Sequence, residues 1–196
     1  MLKRKEMVHK ITITGLMLAV VIILQFLIGS IKIGVVNFTF VLVPIVIGGL
    51  VAGKLVGAIL GFSFGLITFI MGLVGLDPFT LFLISENPFM TAIICLGKGT
   101  ACGFVPALVF SLLKNKNVYV AVVVSAILAP VVNTGLFILG AMCMWSTINV
   151  LAVASGTDVI YFLFIICAGI NFLVELAINL VCAPALYRVY TAVRRK

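Results

Sequence analysis

Charged residues are scarce in this chain. Lys, Arg, Asp and Glu together make up 9% of the 196 residues, and hydrophobic residues make up 64%. In soluble proteins about 25% of residues are charged and about 45–50% are apolar. A soluble domain with so few charges cannot cover its own surface. The composition therefore excludes a cytosolic enzyme, a disordered chain and a secreted disulfide scaffold, and it predicts an integral membrane protein.

Residues that carry catalysis are equally scarce. The single histidine, His9, lies in the basic N-terminal segment, so no predicted span holds a histidine that could activate a nucleophile. Residues 48–54 match the first seven positions of a phosphate-binding loop, but Leu55 stands where Ser or Thr is needed to bind magnesium. We therefore expect no enzymatic activity and no nucleotide site.

Cysteine is present but lacks a metal-binding or redox pattern. The number of cysteines is odd and no two form a Cys-x-x-Cys pair. We expect them to pack as small apolar residues, with no disulfide, metal or cofactor. They are Cys95, Cys102, Cys143, Cys167 and Cys182.

What the sequence has in abundance is long apolar segments. A membrane-spanning helix needs about 20 apolar residues, and the connections between the segments are short. The predicted fold is an all-α integral membrane protein, a single domain over residues 1–196 that forms a bundle of six transmembrane helices. The predicted helices are residues 11–28, 38–53, 55–76, 89–113, 118–145 and 159–187.

The basic residues predict the orientation of this bundle. With six spans, all of the 13 lysines and arginines except Lys32 and Lys98 fall on one side of the membrane. Because cytoplasmic loops are enriched in Lys and Arg, both termini are predicted to be cytoplasmic. The net charge of +8 then reflects membrane topology and does not predict nucleic-acid binding.

Small residues recur at four-residue spacing. Glycines 49, 53, 57, 61 and 65 form one series, and Gly99 and Gly103 repeat the spacing further along the chain. In a bilayer this spacing lets helix backbones approach closely, so we expect these glycines to pack inside the bundle. Gly15 and Ala19 form a notch among bulky residues, which suits docking of a partner helix and internal packing equally well.

Two ionisable residues lie inside predicted spans. Lys98 and Glu175 would be costly in hydrocarbon, so they either neutralise each other or line a polar cavity. Asn171, Glu175 and Asn179 are spaced four residues apart and share one face of the last helix. That face is expected to point into the bundle.

The fifth predicted span adds Asn133 and Thr134 at a depth similar to that of Asn171. Helical side chains lean toward the helix N-terminus. Lys98, Asn133, Asn171 and Glu175 are therefore predicted to converge on an outward-facing pocket. Asn133 alone is equally consistent with a hydrogen bond between helices.

The predicted outer loops are unusually apolar. Residues 29–37, 77–88 and 146–158 are rich in Ile, Val, Leu or Phe. Such segments either fold over a cavity as covers or lie at the membrane interface as short helices.

The whole chain resembles the substrate-binding S components of the energy-coupling factor (ECF) vitamin transporters. Gly15-x-x-x-Ala19 is similar to the family's Ala-x-x-x-Ala motif, with Gly in place of the first Ala. Residues 40–57 resemble the family's helix 2–3 segment, with Gly53-Lys54 in place of the usual Gly-Pro. Residues 129–135, Ala-Pro-Val-Val-Asn-Thr-Gly, are similar to members of the pantothenate-like branch.

The resemblance implies a division of labour. An S component of the cell membrane binds a vitamin or its precursor at the outer face, and a transmembrane T subunit and two cytoplasmic ATPases supply the energy. Gly15 and Ala19 would contact the T subunit. Pantothenate is the first candidate substrate, with its carboxylate on Lys98 and further contacts from Asn133, Thr134, Asn171 and Glu175.

Two other classes of protein fit the residues. One is a self-sufficient secondary transporter of a small anionic solute, in which Glu175 would couple transport to protons. Such carriers usually contain repeated halves, and the sequence shows none. The other is a membrane interaction protein without transport activity, whose polar groups are paired internally.

Overall fold

The structure, a computed structural model, describes residues 2–28, 32–33, 36–37 and 40–194. These ranges are mainly helical, with one short antiparallel hairpin in which β1 (Lys32–Ile33) pairs with β2 (Val36–Asn37). A π-helical segment, Phe162–Cys167, joins the last two helices. The helices are α1 (Leu2–Ile28), α2 (Leu42–Ala52), α3 (Lys54–Leu73), α4 (Pro78–Glu86), α5 (Pro88–Leu113), α6 (Val118–Cys143), α7 (Trp145–Ala154), α8 (Val159–Tyr161) and α9 (Gly169–Arg194).

The predicted all-α membrane class is confirmed. Five helical segments of the described ranges are long and apolar enough to cross a membrane, namely Lys10–Leu27, Lys54–Leu73, Pro88–Leu113, Val118–Cys143 and Val159–Val193. The predicted second span, 38–53, corresponds to α2, whose 11 residues rise only about 16 Å. Residues 38 and 39 of that span lie outside the described residues. The count of six spans therefore stays a prediction.

Polar caps start several of the helices. Asp77, Asn87, Asn117 and Asp158 each accept a hydrogen bond from a backbone N–H in the first turn that follows. In α4 and α5 a proline follows the cap directly, where its missing N–H costs nothing. These caps give most of the apolar segment 77–88 a helical form, so it is not an irregular loop.

Helices α3 and α5 pack backbone to backbone through glycines. A Cβ atom added to Gly57 would overlap the carbonyl oxygen of Gly103, and one added to Gly61 would overlap that of Gly99. The earlier glycine of α3 contacts the later glycine of α5, and the later one contacts the earlier. The two helices therefore run antiparallel. The expectation that the spaced glycines pack within the bundle is confirmed for all of them except Gly53, which is exposed and lies in a turn where an added Cβ atom would meet nothing within 4 Å.

Helix α2 occupies the middle of this packing. Eight of its residues are buried, and a helix that is apolar on all sides is typical of a buried core. The chain leaves it through Gly53, whose φ of +105° is a conformation that favours glycine. The phosphate-loop-like stretch is therefore a tight turn between two helices.

Contacts between the helices show that the helix ends carrying Lys and Arg lie at the same end of the bundle. Gln25 of α1 donates to Thr68 of α3, so the C-terminal parts of these helices meet and both start at the same end. At that end Lys54 lies with its Nζ 6.0 Å from the ring centroid of Phe104 on α5.

The last helix finishes at the same end. Tyr190 packs edge-on against Phe110 with ring centroids 4.8 Å apart, and Tyr187 against Tyr119 at 5.5 Å. These pairs place the C-terminal part of α9 beside the end of α5 and the start of α6. We name this the basic end of the bundle, defined by Lys10, Lys54, Lys114, Lys116 and Arg188.

Candidate functional site

A small cavity with both polar and apolar wall residues lies in the half of the bundle away from the basic end. Its volume is about 60 Å³, and α1, α3, α4, α5, α6 and α9 all contribute to its wall. The contributing residues come from the C-terminal parts of α1 and α3 and from the N-terminal parts of α5 and α9. All of these parts lie opposite the basic end.

The structure brings together the five residues predicted for the substrate site. Lys98, Asn133, Thr134, Asn171 and Glu175 all line this one cavity. The convergence follows from the antiparallel arrangement of α5, α6 and α9, which places Lys98 and Asn171 at comparable depths. That these residues bind substrate stays a prediction.

Glu175 anchors the deep side of the cavity. Its side chain is 1% exposed, and its Oε2 accepts a hydrogen bond of 3.4 Å from Nδ2 of Asn133. Asn179, one turn further along α9, donates instead to the backbone carbonyl of Glu175 at 2.8 Å and does not line the cavity in the described structure. Of the three residues predicted to share a face, Asn171 and Glu175 therefore line the cavity, whereas Asn179 bonds to the backbone of its own helix.

Lys98 contributes a cation to the wall. Its Nζ lies 5.2 Å from the ring centroid of Phe137, within the range of a cation–π interaction. Phe137 in turn packs against Phe79 of α4 with ring centroids 5.9 Å apart. Lys98 and Glu175 line the same cavity, so mutual neutralisation and contact with a ligand both remain compatible with their positions.

Several amide oxygens in this wall have no hydrogen-bond partner. Four such buried oxygens occur among the described residues: one, Asn179 Oδ1, lies outside this wall, and three lie in it, namely Gln25 Oε1, Asn133 Oδ1 and Asn171 Oδ1. A buried acceptor without a donor costs about 1–3 kcal/mol. Since all three residues line the cavity, their oxygens indicate a site for a molecule that donates hydrogen bonds.

Helix α4 forms one wall of the cavity. Phe79, Thr80 and Leu83 are buried and line it. Asp77 caps the helix by accepting from the backbone N–H of Thr80 at 3.4 Å and from its hydroxyl at 2.5 Å. The predicted covering role of residues 77–88 thus has a structural counterpart. Of the other two predicted covers, 29–37 falls largely outside the described residues, and no residue of 146–158, most of which belongs to α7, lines the cavity.

Sequence reasoning missed several polar wall residues. Gln25, Thr68, Thr80 and Thr91 line the cavity without having been predicted. A signal existed for Gln25, because it is the one strongly polar side chain in the apolar run between Thr14 and Ser30. The threonines gave no comparable signal, because threonine hydroxyls in membrane helices commonly donate hydrogen bonds to the backbone carbonyls of their own helix.

The predicted partner-docking pair lies on the outside of the bundle. Gly15 and Ala19 are exposed, and a Cβ atom added to Gly15 would meet nothing within 4 Å. Internal packing therefore does not explain the small size of Gly15. Docking of a partner helix stays a prediction.

A bundle of apolar helices around a small cavity with several polar wall groups is typical of a multi-pass membrane protein that binds a small solute. The family model described as ECF transporter, substrate-specific component, matches residues 9–187, and the chain belongs to that family. The resemblance to the S components of ECF transporters is confirmed, and membership of the pantothenate-like branch stays a prediction. The chain is therefore a transporter subunit of the cell membrane and not itself an enzyme. A search of curated proteins finds no match to this chain.

Proposed function

We propose that this subunit captures a small vitamin or vitamin precursor at the extracellular face, with pantothenate as the first candidate. A T subunit and two cytoplasmic ATPases would then drive import. The observation that carries the proposal is the combination of one lysine with several unpartnered amide oxygens around a single cavity.

Pantothenate complements this wall chemically. Its carboxylate is suited to the ammonium of Lys98, and a charge-assisted hydrogen bond of this kind is among the stronger polar contacts. Its hydroxyl and amide groups can donate to the oxygens of Asn133 and Asn171. Its dimethyl carbon group suits the apolar part of the wall, which includes Phe64, Met71 and Ile94.

The cavity must widen to take such a ligand. Ligand pockets usually measure about 300–1,000 Å³, whereas this cavity measures about 60 Å³. Movement of α4 would open the end opposite the basic end. We therefore assign α4 the role of a cover over the site, whereas a covering role for residues 29–37 stays a prediction.

The proposed orientation places the basic end in the cytoplasm, as the enrichment of Lys and Arg in cytoplasmic loops requires. The cavity then lies in the extracellular half of the membrane, where an importer first meets its substrate. In this proposal α2, together with the residues before it, supplies the sixth crossing.

The proposed contact with the T subunit lies on α1. Gly15 and Ala19 form a shallow notch on the exposed side of this helix, and small residues at this spacing let a partner helix approach closely. The notch is separate from the cavity, so docking and substrate binding are assigned to different surfaces.

Two measurements test the proposed function. Titration of the purified subunit with pantothenate is expected to show saturable binding, and a tagged subunit is expected to co-purify with a T subunit and two ATPases. Uptake by vesicles that contain this subunit alone would contradict the proposal and favour a secondary transporter. Absence of binding to pantothenate, with another small molecule found by mass spectrometry, would correct the substrate alone.

A further inference from the structure

Gln25 is a buried polar residue at the end of an otherwise apolar helix. Its side chain is 3% exposed and lines the cavity. Of the α1 residues whose side chains are described, only Val21 and Gln25 are buried. Gln25 is thus a main point at which α1 reaches into the bundle.

The neighbouring threonine fixes which way the amide points. The hydroxyl of Thr68 donates its single proton to the backbone carbonyl of Phe64 at 3.0 Å. It can therefore only accept from Gln25, and Nε2 of Gln25 donates to it at 3.3 Å. With the nitrogen held by Thr68, Oε1 must point away from it.

That oxygen is buried and has no hydrogen-bond partner among the described residues. A purely structural contact between α1 and α3 does not need it, because only the nitrogen bonds to Thr68. An acceptor left open in the wall of a cavity is the expected feature of a group that binds a ligand.

We propose that Gln25 is a ligand-recognition residue whose Oε1 accepts a hydrogen bond from an N–H or O–H group of the substrate, and that Thr68 positions it. This inference rests on the proposed function and refines its substrate class. Together with the open oxygens of Asn133 and Asn171, it selects a ligand with several donor groups besides the group that meets Lys98.

A stability measurement without ligand separates recognition from a structural role. Gln25→Met keeps the length of the side chain and removes the open acceptor. The ligand-free variant is expected to unfold at about the same temperature as the wild type, because loss of the hydrogen bond from Nε2 to Thr68 is offset by removal of a buried unsatisfied oxygen. Ser125→Ala is the matched control, since Ser125 is fully buried, bonds to Pro106 and lies outside the cavity wall. That control is expected to lower the unfolding temperature.

Binding of two related ligands gives the second readout. Pantothenol replaces the carboxylate of pantothenate, which only accepts hydrogen bonds, with a hydroxymethyl group and keeps the hydroxyl and amide donors. Gln25→Met is expected to weaken binding of both ligands by about tenfold, whereas Lys98→Met weakens that of pantothenate far more than that of pantothenol. Thr68→Ser should retain the affinity, and Thr68→Val should lose part of it.

The outcomes separate the two proposals. If Gln25→Met unfolds several degrees below the wild type without ligand, or binds both ligands as the wild type does, recognition by Gln25 is overturned. If the wild type binds neither ligand, pantothenate is wrong as the substrate. The ligand-free comparison then still decides whether Gln25 is structural.

Discussion

At the scale of single residues, the site depends on polar side chains that a membrane helix normally avoids. Lys98 and Glu175 are ionisable groups within membrane-spanning helices, where a lone charge would cost several kcal/mol. In the structure both line one cavity, and Asn133 donates to Glu175. The cavity gives Glu175 a polar partner in Asn133 and places the ammonium group of Lys98 against the ring of Phe137.

Replacing Lys98 with Met keeps the apolar stem and removes the charge. If Lys98 meets an anionic substrate, Lys98→Met should lower the affinity by more than about tenfold, since a hydrogen bond to a charged group contributes about 1.5–3 kcal/mol. Calorimetric titration with pantothenate measures the change. Lys116→Met, at the exposed basic end, is the control and should bind as the wild type does.

A different result is expected if Lys98 and Glu175 only neutralise each other. Lys98→Met and Glu175→Gln would then each fold poorly, and the double variant would recover both stability and binding. Recovery in the double variant would contradict a contact between Lys98 and the substrate.

At the scale of helices, close contact between backbones depends on glycines, which lack a side chain. Helices α3 and α5 touch through their backbones at Gly57, Gly61, Gly99 and Gly103. Without a hydrophobic driving force between helices in lipid, such close contacts hold a membrane bundle together. Gly97 lies on the same α5 helix, yet a Cβ atom there would meet nothing within 4 Å.

This difference makes Gly61 and Gly97 a matched pair. Gly61→Ala is expected to destabilise the subunit by about 1–3 kcal/mol, because the added methyl group overlaps the backbone of α5. Gly97→Ala should be neutral or slightly stabilising, because Ala favours a helix. Thermal unfolding in detergent compares the two variants, and equal losses of stability would contradict the packing described for α3 and α5.

The exposed notch on α1 gives a second prediction at this scale. Gly15→Leu combined with Ala19→Leu is expected to abolish co-purification with the T subunit, because the added side chains fill the notch. Substrate affinity should not change, since neither residue lines the cavity in the described structure. Gly97→Leu adds the same bulk elsewhere on the surface and serves as the control. Normal assembly and transport by the double variant would show that the docking surface lies elsewhere.

At the scale of the whole molecule, the charge distribution divides the bundle into two ends. Lys54, Lys114, Lys116 and Arg188 lie at the basic end, and the cavity lies in the other half. Positive charge favours the cytoplasmic side of a membrane. The asymmetry therefore predicts that the basic end is cytoplasmic and, in our proposal, that the substrate site faces outward.

Cysteine labelling in intact cells tests this orientation. Glu86→Cys and Lys116→Cys are exposed positions at opposite ends of the bundle, and both are introduced after Cys143 and Cys182 have been changed to Ser. A membrane-impermeant maleimide is expected to label Glu86→Cys directly and Lys116→Cys only after permeabilisation. The reverse pattern would place the cavity in the cytoplasmic half, where capture of an extracellular substrate is impossible.

The sequence by itself determined the membrane class, the family and the depth of the main polar residues. Long apolar runs and scarce charge leave few alternatives to a helical bundle, and polar residues at four-residue spacing must share a face. The positions of Lys98, Asn133 and Glu175 along their helices were therefore enough to predict that they meet. Glycine spacing likewise predicted close packing inside the bundle, although not which two helices would touch.

Only the tertiary structure decided which surfaces face each other. Gly15 and Gly61 both lie in small-residue patterns, yet Gly15 faces outward whereas Gly61 touches the backbone of α5. The spacing of small residues does not specify which helix packs against them, because that depends on how the whole bundle assembles. The role of Gln25 depends on Thr68, 43 residues away, and no local pattern encodes a hydrogen bond at that separation. The helical form of residues 78–86 was left open by sequence, since an apolar segment between helices can fold as a loop or as a helix, and packing against the cavity selects the helix.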